Sequence, residues 1–134
     1  MEISHFDDLL AAARAQPEPQ RLLLVFTGAS LPADATAEQR GRFDAGEAGE
    51  LAPLMCVDKD PRALADFAAL VGEAAELGPH WALVFAAALP GRGGQPPTDS
   101  QVDAALQRMV EAVKSGGVGG LIPFDREGHA VHLS

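Results

Sequence analysis

The chain has little cysteine, little positive charge and no long apolar run. Cys56 is the single cysteine among 134 residues, so no intramolecular disulfide can form. Ten basic residues stand against nineteen acidic ones, which gives a net charge of −9. That field repels a phosphate backbone and the basic residues are scattered, so we expect no nucleic-acid partner. The longest strongly apolar run, Trp81 to Leu89, is far shorter than the ~20 residues of a membrane helix, so we expect no membrane span.

A targeting segment is also missing from the N-terminal residues. Met1 to Asp8 contains no basic stretch followed by an apolar one, which is unlike a signal peptide. A reducing compartment suits a chain without a disulfide. We therefore expect a cytoplasmic protein.

The remaining composition is that of one folded domain. A length of 134 residues is typical of a single domain, and 47% apolar with 22% charged residues is ordinary for a globular protein. A chain of this size buries enough surface for one core without disulfides or metals. We expect a single α/β domain over residues 1–134.

Local patterns predict helices that alternate with strands. Apolar residues at helical spacing, with capping residues and prolines at the ends, predict four helices: 5–15, a short one within 36–46, one that starts at Asp60–Pro61 and ends near Gly78, and one that starts at Asp99 or Ser100. Apolar runs bounded by turn residues predict five strands: 22–27, 51–57, 81–89, 121–124 and 130–133.

This order predicts an α/β fold with a mixed, partly parallel sheet of four to five strands flanked by helices. The turn Asp125–Gly128 joins the last two strands as a C-terminal antiparallel hairpin. The strand Trp81–Leu89 is apolar on both faces, so it should be central, with Trp81 and Phe85 on one face. Pro53 cannot donate to a ladder and should lie at a strand start or a sheet edge.

Familiar catalytic and cofactor patterns are absent. Cys56 has apolar neighbours, which favours an inert core thiol. His129 and His132 lie three residues apart on a strand and should face opposite sides, so they cannot easily share a metal. The segments Gly91–Gly94 and Gly116–Gly120 have the wrong spacing or order for nucleotide-binding loops and are better read as turns. We expect no cofactor and no metal.

The most plausible ligand site follows from position in the fold. Ligands of open α/β sheets bind outside the carboxyl ends of the strands. If the first four strands are parallel, five charged residues converge there and could hold an anionic small molecule: Asp58, Lys59, Arg92, Asp125 and Arg126. In the alternative interpretation Asp60 only caps its helix and Asp125 only shapes its turn.

Several runs resemble a known group of proteins over most of the chain. They are Leu9–Arg14, Gln16–Leu23, Pro53–Lys59 and Ile122–Arg126. They resemble a family of small uncharacterised proteobacterial proteins that are often labelled ribonucleotide reductase alpha subunits. That label implies a thiyl-forming cysteine and a separate redox pair, and Cys56 alone cannot supply three thiols. The resemblance therefore implies a family but no activity.

Two functions stay open at this point. The first is a non-enzymatic binding or protein-interaction domain, with a homo-oligomer as one form. The alternative is a binding protein or enzyme for a small anionic ligand at the strand ends. A perturbed carboxylate in a pocket favours the second, and an exposed apolar patch favours the first.

Overall fold

The computed structural model describes residues 3–30, 37, 50–77 and 80–131. The predicted short helix within 36–46 lies almost wholly outside these residues. Seven elements follow one another along the described chain: α1 (Phe6–Arg14), β1 (Gln20–Ser30), β2 (Glu50–Lys59), α2 (Phe67–Leu77), β3 (Leu83–Pro90), α3 (Asp99–Ser115) and β4 (Ile122–Phe124). None of these helices has the length and apolarity needed to cross a bilayer.

The four strands form one sheet in the order β2-β1-β3-β4. Every neighbouring pair is antiparallel, so the prediction of a partly parallel sheet is wrong. Since β2 and β3 are both antiparallel to β1, they run in the same direction, as their helical connection suggested. However, β1 is inserted between them, and no local pattern in the sequence reports that insertion.

The inner position of β3, between β1 and β4, confirms the prediction of a central strand. The predicted grouping of its faces is wrong at Trp81, because the strand begins only at Leu83. Trp81 packs in the same cluster as Val84 and Ala86, at a ring distance of 5.1 Å from Phe26.

The sheet lies between two layers of helices. Alternate residues of β1 face opposite sides: Leu22 and Leu24 pack with α1 and α2, whereas Leu23 and Val25 pack with α3. All four are buried. This double burial explains why β1 is a continuous apolar run in the sequence.

The helix ends differ in detail from the predictions. His5, which was predicted as the first helical residue, is the N-cap of α1: its Nδ1 accepts the Asp7 N–H at 3.0 Å, and the Asp8 carboxylate accepts the backbone N–H groups of Ser4 and His5. The hydrogen bond from the Ser4 N–H has the larger effect and that from the His5 N–H the next, and together they lower the pKa of Asp8 below its ordinary value.

Of the other two helices, α3 begins at Asp99 as predicted, one residue after its N-cap, whereas α2 begins later than predicted. The segment after Asp60 is a turn, and α2 begins only at Phe67. The N-cap of α3 is Thr98, which exchanges hydrogen bonds with Gln101 in a capping box. Helix boundaries are the least certain part of any pattern-based prediction, because several polar residues compete for each cap.

The C-terminal hairpin is confirmed up to residue 131. Phe124 bridges Ala130, and Asp125 Oδ1 accepts the N–H groups of Glu127 and His129 within the turn. Gly128 has a φ of 87°. The predicted outer end of this hairpin at 132–133, with His132, lies outside the described residues.

Strand β2 is one edge of the described sheet, which confirms the prediction that Pro53 lies at a strand start or an edge. Cys56 is exposed on this strand, so the prediction of a buried core thiol is wrong. An apolar strand buried on both faces and an edge strand covered on one side have similar sequences, and only the strand order distinguishes them.

Candidate functional site

The five predicted ligand residues are divided between two opposite edges of the sheet, by which we mean here the two sides where its strands begin and end and not its outer strands. Lys59 pairs with Leu22 near the start of β1. Pro90 at the end of β3 pairs with Gln20, also at the start of β1. Asp58, Lys59 and Arg92 therefore share one edge. Phe124 at the end of β4 pairs instead with Val84 near the start of β3. Asp125 and Arg126 follow it at the other edge, so the antiparallel sheet does not form the predicted rim.

Two of the residues at the first edge form ion pairs within the fold. Asp58 accepts from Arg21 Nε at 2.7 Å, and Lys59 Nζ lies 2.9 Å from a carboxylate oxygen of Glu73. Both pairs are partly exposed, so each contributes little stability. Their charges are largely balanced before any ligand arrives.

Both residues at the opposite edge also have internal partners. Asp125 accepts two backbone hydrogen bonds within the hairpin turn, which agrees with the alternative interpretation that it shapes this turn. Arg126 donates from Nη1 to the Trp81 carbonyl at 2.8 Å, and its guanidinium carbon lies 5.0 Å from the centre of the indole ring. Of the five predicted residues, Arg92 alone has no side-chain partner among those that the structure describes.

A cavity of about 250 Å³ lies where α1, the start of β1 and the turn after β2 meet. Apart from the exposed Arg62, the charged groups at its wall are used for internal bonds. Arg14 donates to the carbonyl oxygens of Pro61, Leu64 and Ala65. Glu18 accepts the Gly94 N–H at 2.9 Å. In this cavity most of the charged side chains, unlike that of Arg62, already have partners within the fold.

A second opening lies on the opposite face of the sheet, beside α3. This helix packs against β1 and β2 and leaves part of β3 uncovered. Ala87 and Leu89 are consequently only half-buried there. One helix cannot cover a four-stranded face, whereas the other face has both α1 and α2.

We name this opening the α3 cleft, and it consists of two adjoining cavities that share Leu89 and Arg108. The inner cavity has a volume of about 300 Å³ and is lined by Leu23, Ala87, Ala88, Leu89, Ala105, Arg108, Met109, Ala112, Gly117, Gly120 and Leu121. The outer cavity has a volume of about 470 Å³ and is lined by Leu89, Pro90, Arg92, Gln101, Ala104 and Arg108.

The charge in the α3 cleft is all of one sign. Arg108 is the only charged residue of the inner cavity, and Arg92 joins it in the outer one. Within the described ranges, neither side chain makes an ion pair. Guanidinium groups match carboxylate and phosphate oxygens in a two-pronged geometry. In a protein with a net charge of −9, two such groups on one opening are an unusual local arrangement.

The backbone before α3 holds Arg92 in place. Arg92 and Gln95 exchange backbone hydrogen bonds of 3.0 and 2.9 Å, and Gly93 and Gly94 between them have positive φ angles. This is a tight two-residue hairpin, so the interpretation of the glycine-rich segment as a turn is confirmed. A Cβ on Gly91 would lie 1.9 Å from the Gln95 carbonyl oxygen. Only glycine fits there. The hairpin therefore fixes the backbone position from which the Arg92 side chain extends.

Arg108 was missed in the sequence because it lies outside the apolar stripe of its helix. A weak signal was present, since small residues flank it on the same side at Ala104, Ala105 and Ala112. Small side chains beside a single cation indicate a place where a helix leaves space. The sequence cannot say which strand borders that space.

No group of histidine, cysteine or acidic residues suited to a metal occurs in the described ranges. Comparison of the chain with protein-family models, curated proteins and solved structures finds no match.

Proposed function

We propose that the protein is a binding domain for a small organic anion, which the α3 cleft holds by Arg92 and Arg108. One observation carries the proposal: Arg92 and Arg108 line the same cavity, and neither forms an ion pair within the described part of the chain. Arg14, Arg21 and Arg126 differ from them, because each bonds to the protein itself.

The expected affinity is modest because both arginines are exposed. An exposed charged pair contributes up to about 1 kcal/mol, so loss of both arginines should weaken binding about ten- to thirtyfold. Salt should weaken it as well, since exposed charges are screened.

The experiment is a titration of the full chain with small carboxylates and phosphate monoesters, followed by NMR of the backbone and of the arginine Nε–H groups. We expect shifts that are confined to the α3 cleft and are lost in the Arg92→Ala, Arg108→Ala double variant. Arg62→Ala is the matched control, because Arg62 is exposed and lies outside the cleft. Equal binding by the double variant, or no binding of any anion, would refute the proposal.

A second candidate function is protein interaction, with a second copy of this chain as the partner. Leu54 exposes 39% of its surface on β2, an edge strand of the described sheet. Edge strands carry unpaired backbone groups that can pair with another strand. Light scattering should find a dimer that Leu54→Lys disrupts and Leu77→Lys, at another exposed leucine, does not. A monomeric wild type at high concentration would refute it.

A cytoplasmic setting remains part of the proposal. The exposed thiol of Cys56 would persist in a reducing compartment. Membership of the proteobacterial family, to which the sequence motifs point, stays a prediction.

A further inference from the structure

The inner cavity of the α3 cleft has a property that anion binding alone does not use. Its sheet wall is formed by Leu23, Ala87 and Leu89, and Met109 and Leu121 line it from the helix and the following loop. Apart from Arg108, every lining residue is apolar or glycine. A purely ionic ligand would leave this apolar surface in contact with water.

The lining of the inner cavity extends along α3. Ala105 and Ala112 lie on either side of Met109 on the helix, and Gly117 and Gly120 follow the C-terminal end of the helix. Their short or absent side chains leave open space beside the helix, with a volume of about 300 Å³. A chain that lies along the helix would contact all of these residues.

Both arginines line the outer cavity, which adjoins the inner one. Arg108 belongs to both cavities, and Arg92 belongs only to the outer one. A ligand whose charged group meets both arginines would therefore extend its remainder into the inner cavity. That arrangement is complementary to a molecule with one anionic end and one apolar chain.

We infer that the α3 cleft binds a straight-chain aliphatic carboxylate, whose head group meets Arg92 and Arg108 and whose chain lies along the inner cavity. This inference rests on the proposed function and names the ligand class of the same site. Each methylene that leaves water tightens binding by up to about fourfold.

The experiment is a calorimetric titration of the full chain with butanoate, hexanoate, octanoate and decanoate, each below its micelle-forming concentration. Octanoate should bind about fifteenfold or more tightly than butanoate, even if each methylene is only half enclosed. Its branched isomer 2-propylpentanoate has the same atoms and charge but cannot extend as far along the helix, so it should bind like butanoate.

Two variants test whether the chain of the ligand lies in the inner cavity. Ala112→Leu places a larger side chain in the inner cavity and should remove the dependence on chain length while butanoate still binds. If that variant unfolds, Gly120→Val is the second choice, because a Cβ at Gly120 meets no atom within 4 Å. Retention of the chain-length dependence in both folded variants would overturn the inference.

The outcomes distinguish the inference from the proposed function. Equal affinity for butanoate and octanoate, or for octanoate and 2-propylpentanoate, overturns the inference and leaves anion binding intact. Octan-1-ol binding as tightly as octanoate would overturn the role of the arginines and with it the proposed function. Binding of none of these compounds overturns both. Octanoate binding that is tighter than butanoate binding and that is lost in the Arg92→Ala, Arg108→Ala double variant supports both.

Discussion

Substitution of Gly128 by alanine tests the junction between the beginning and the end of the described chain. Gly128 has a φ of 87°, which is unfavourable for a residue with a Cβ. A Cβ there would lie 2.6 Å from His5 Nε2 and 2.9 Å from Phe67 Cδ2. Both rings belong to packed neighbours, so neither can move away without loss of contacts.

The magnitude follows from two separate costs. The left-handed backbone costs an alanine about 1–2 kcal/mol. Displacement of the turn also endangers three hydrogen bonds: Phe6 N–H to the Gly128 carbonyl at 2.7 Å, Ala130 N–H to the Ser4 carbonyl at 2.8 Å, and His5 Nε2 to the Glu127 carbonyl at 3.0 Å. At about 1 kcal/mol each, loss of one or two brings the total to about 2–4 kcal/mol.

Urea unfolding followed by far-UV circular dichroism measures this cost. Gly72→Ala is the matched control, because Gly72 lies in α2 with open space around its Cβ. That variant should gain up to about 1 kcal/mol from helix propensity. His5→Ala combined with Gly128→Ala should recover only the part that comes from the histidine clash. A Gly128→Ala variant that loses less than about 1 kcal/mol would refute the reasoning, because the backbone term alone exceeds that value.

Three further predictions concern acid stability, the hairpin and the thiol. Because the folded pKa of Asp8 is lowered, its contribution to stability is complete above its ordinary value of 3.8 and is lost as the pH falls through the folded pKa. Asp8→Asn should flatten the acid limb of stability against pH, and an unchanged limb would contradict this. Gly91→Ala should disturb the hairpin, because its Cβ would overlap the Gln95 carbonyl, and should weaken anion binding as much as Arg92→Ala does; unchanged binding would show that the hairpin adapts. Cys56 should react with a maleimide in the native protein nearly as fast as in urea, since it is exposed, and strong native protection would contradict its placement.

The candidate site illustrates how far local patterns extend. Arg92 was found because it follows a strand that is easy to recognise and lies in a glycine-rich turn. Arg108 was not found, since its importance arises from β3, which contributes Ala87 and Leu89 to the same cavity. The expectation that Asp125 and Arg126 lie with Asp58, Lys59 and Arg92 was wrong because it assumed parallel strands.

Cys56 and Trp81 show the same limit in single residues. Each has apolar neighbours in sequence, which predicts a strand and says little about its surroundings. Cys56 is exposed because its strand is an edge of the described sheet, whereas Trp81 precedes β3, packs against Phe26 and is only 2% exposed. Position within the fold, not local sequence, accounts for the difference.

The sequence by itself determined most of the described elements, the inner position of β3, the glycine-rich hairpin and the C-terminal turn. Those features depend on side-chain periodicity, backbone freedom and hydrogen bonds between near neighbours, all of which are written in short segments. Only the tertiary structure decided that β1 lies between β2 and β3, that every strand pair is antiparallel, and that α3 leaves part of β3 uncovered. These depend on contacts between distant segments, where many strand orders satisfy the same local patterns and the packing of the whole core selects one.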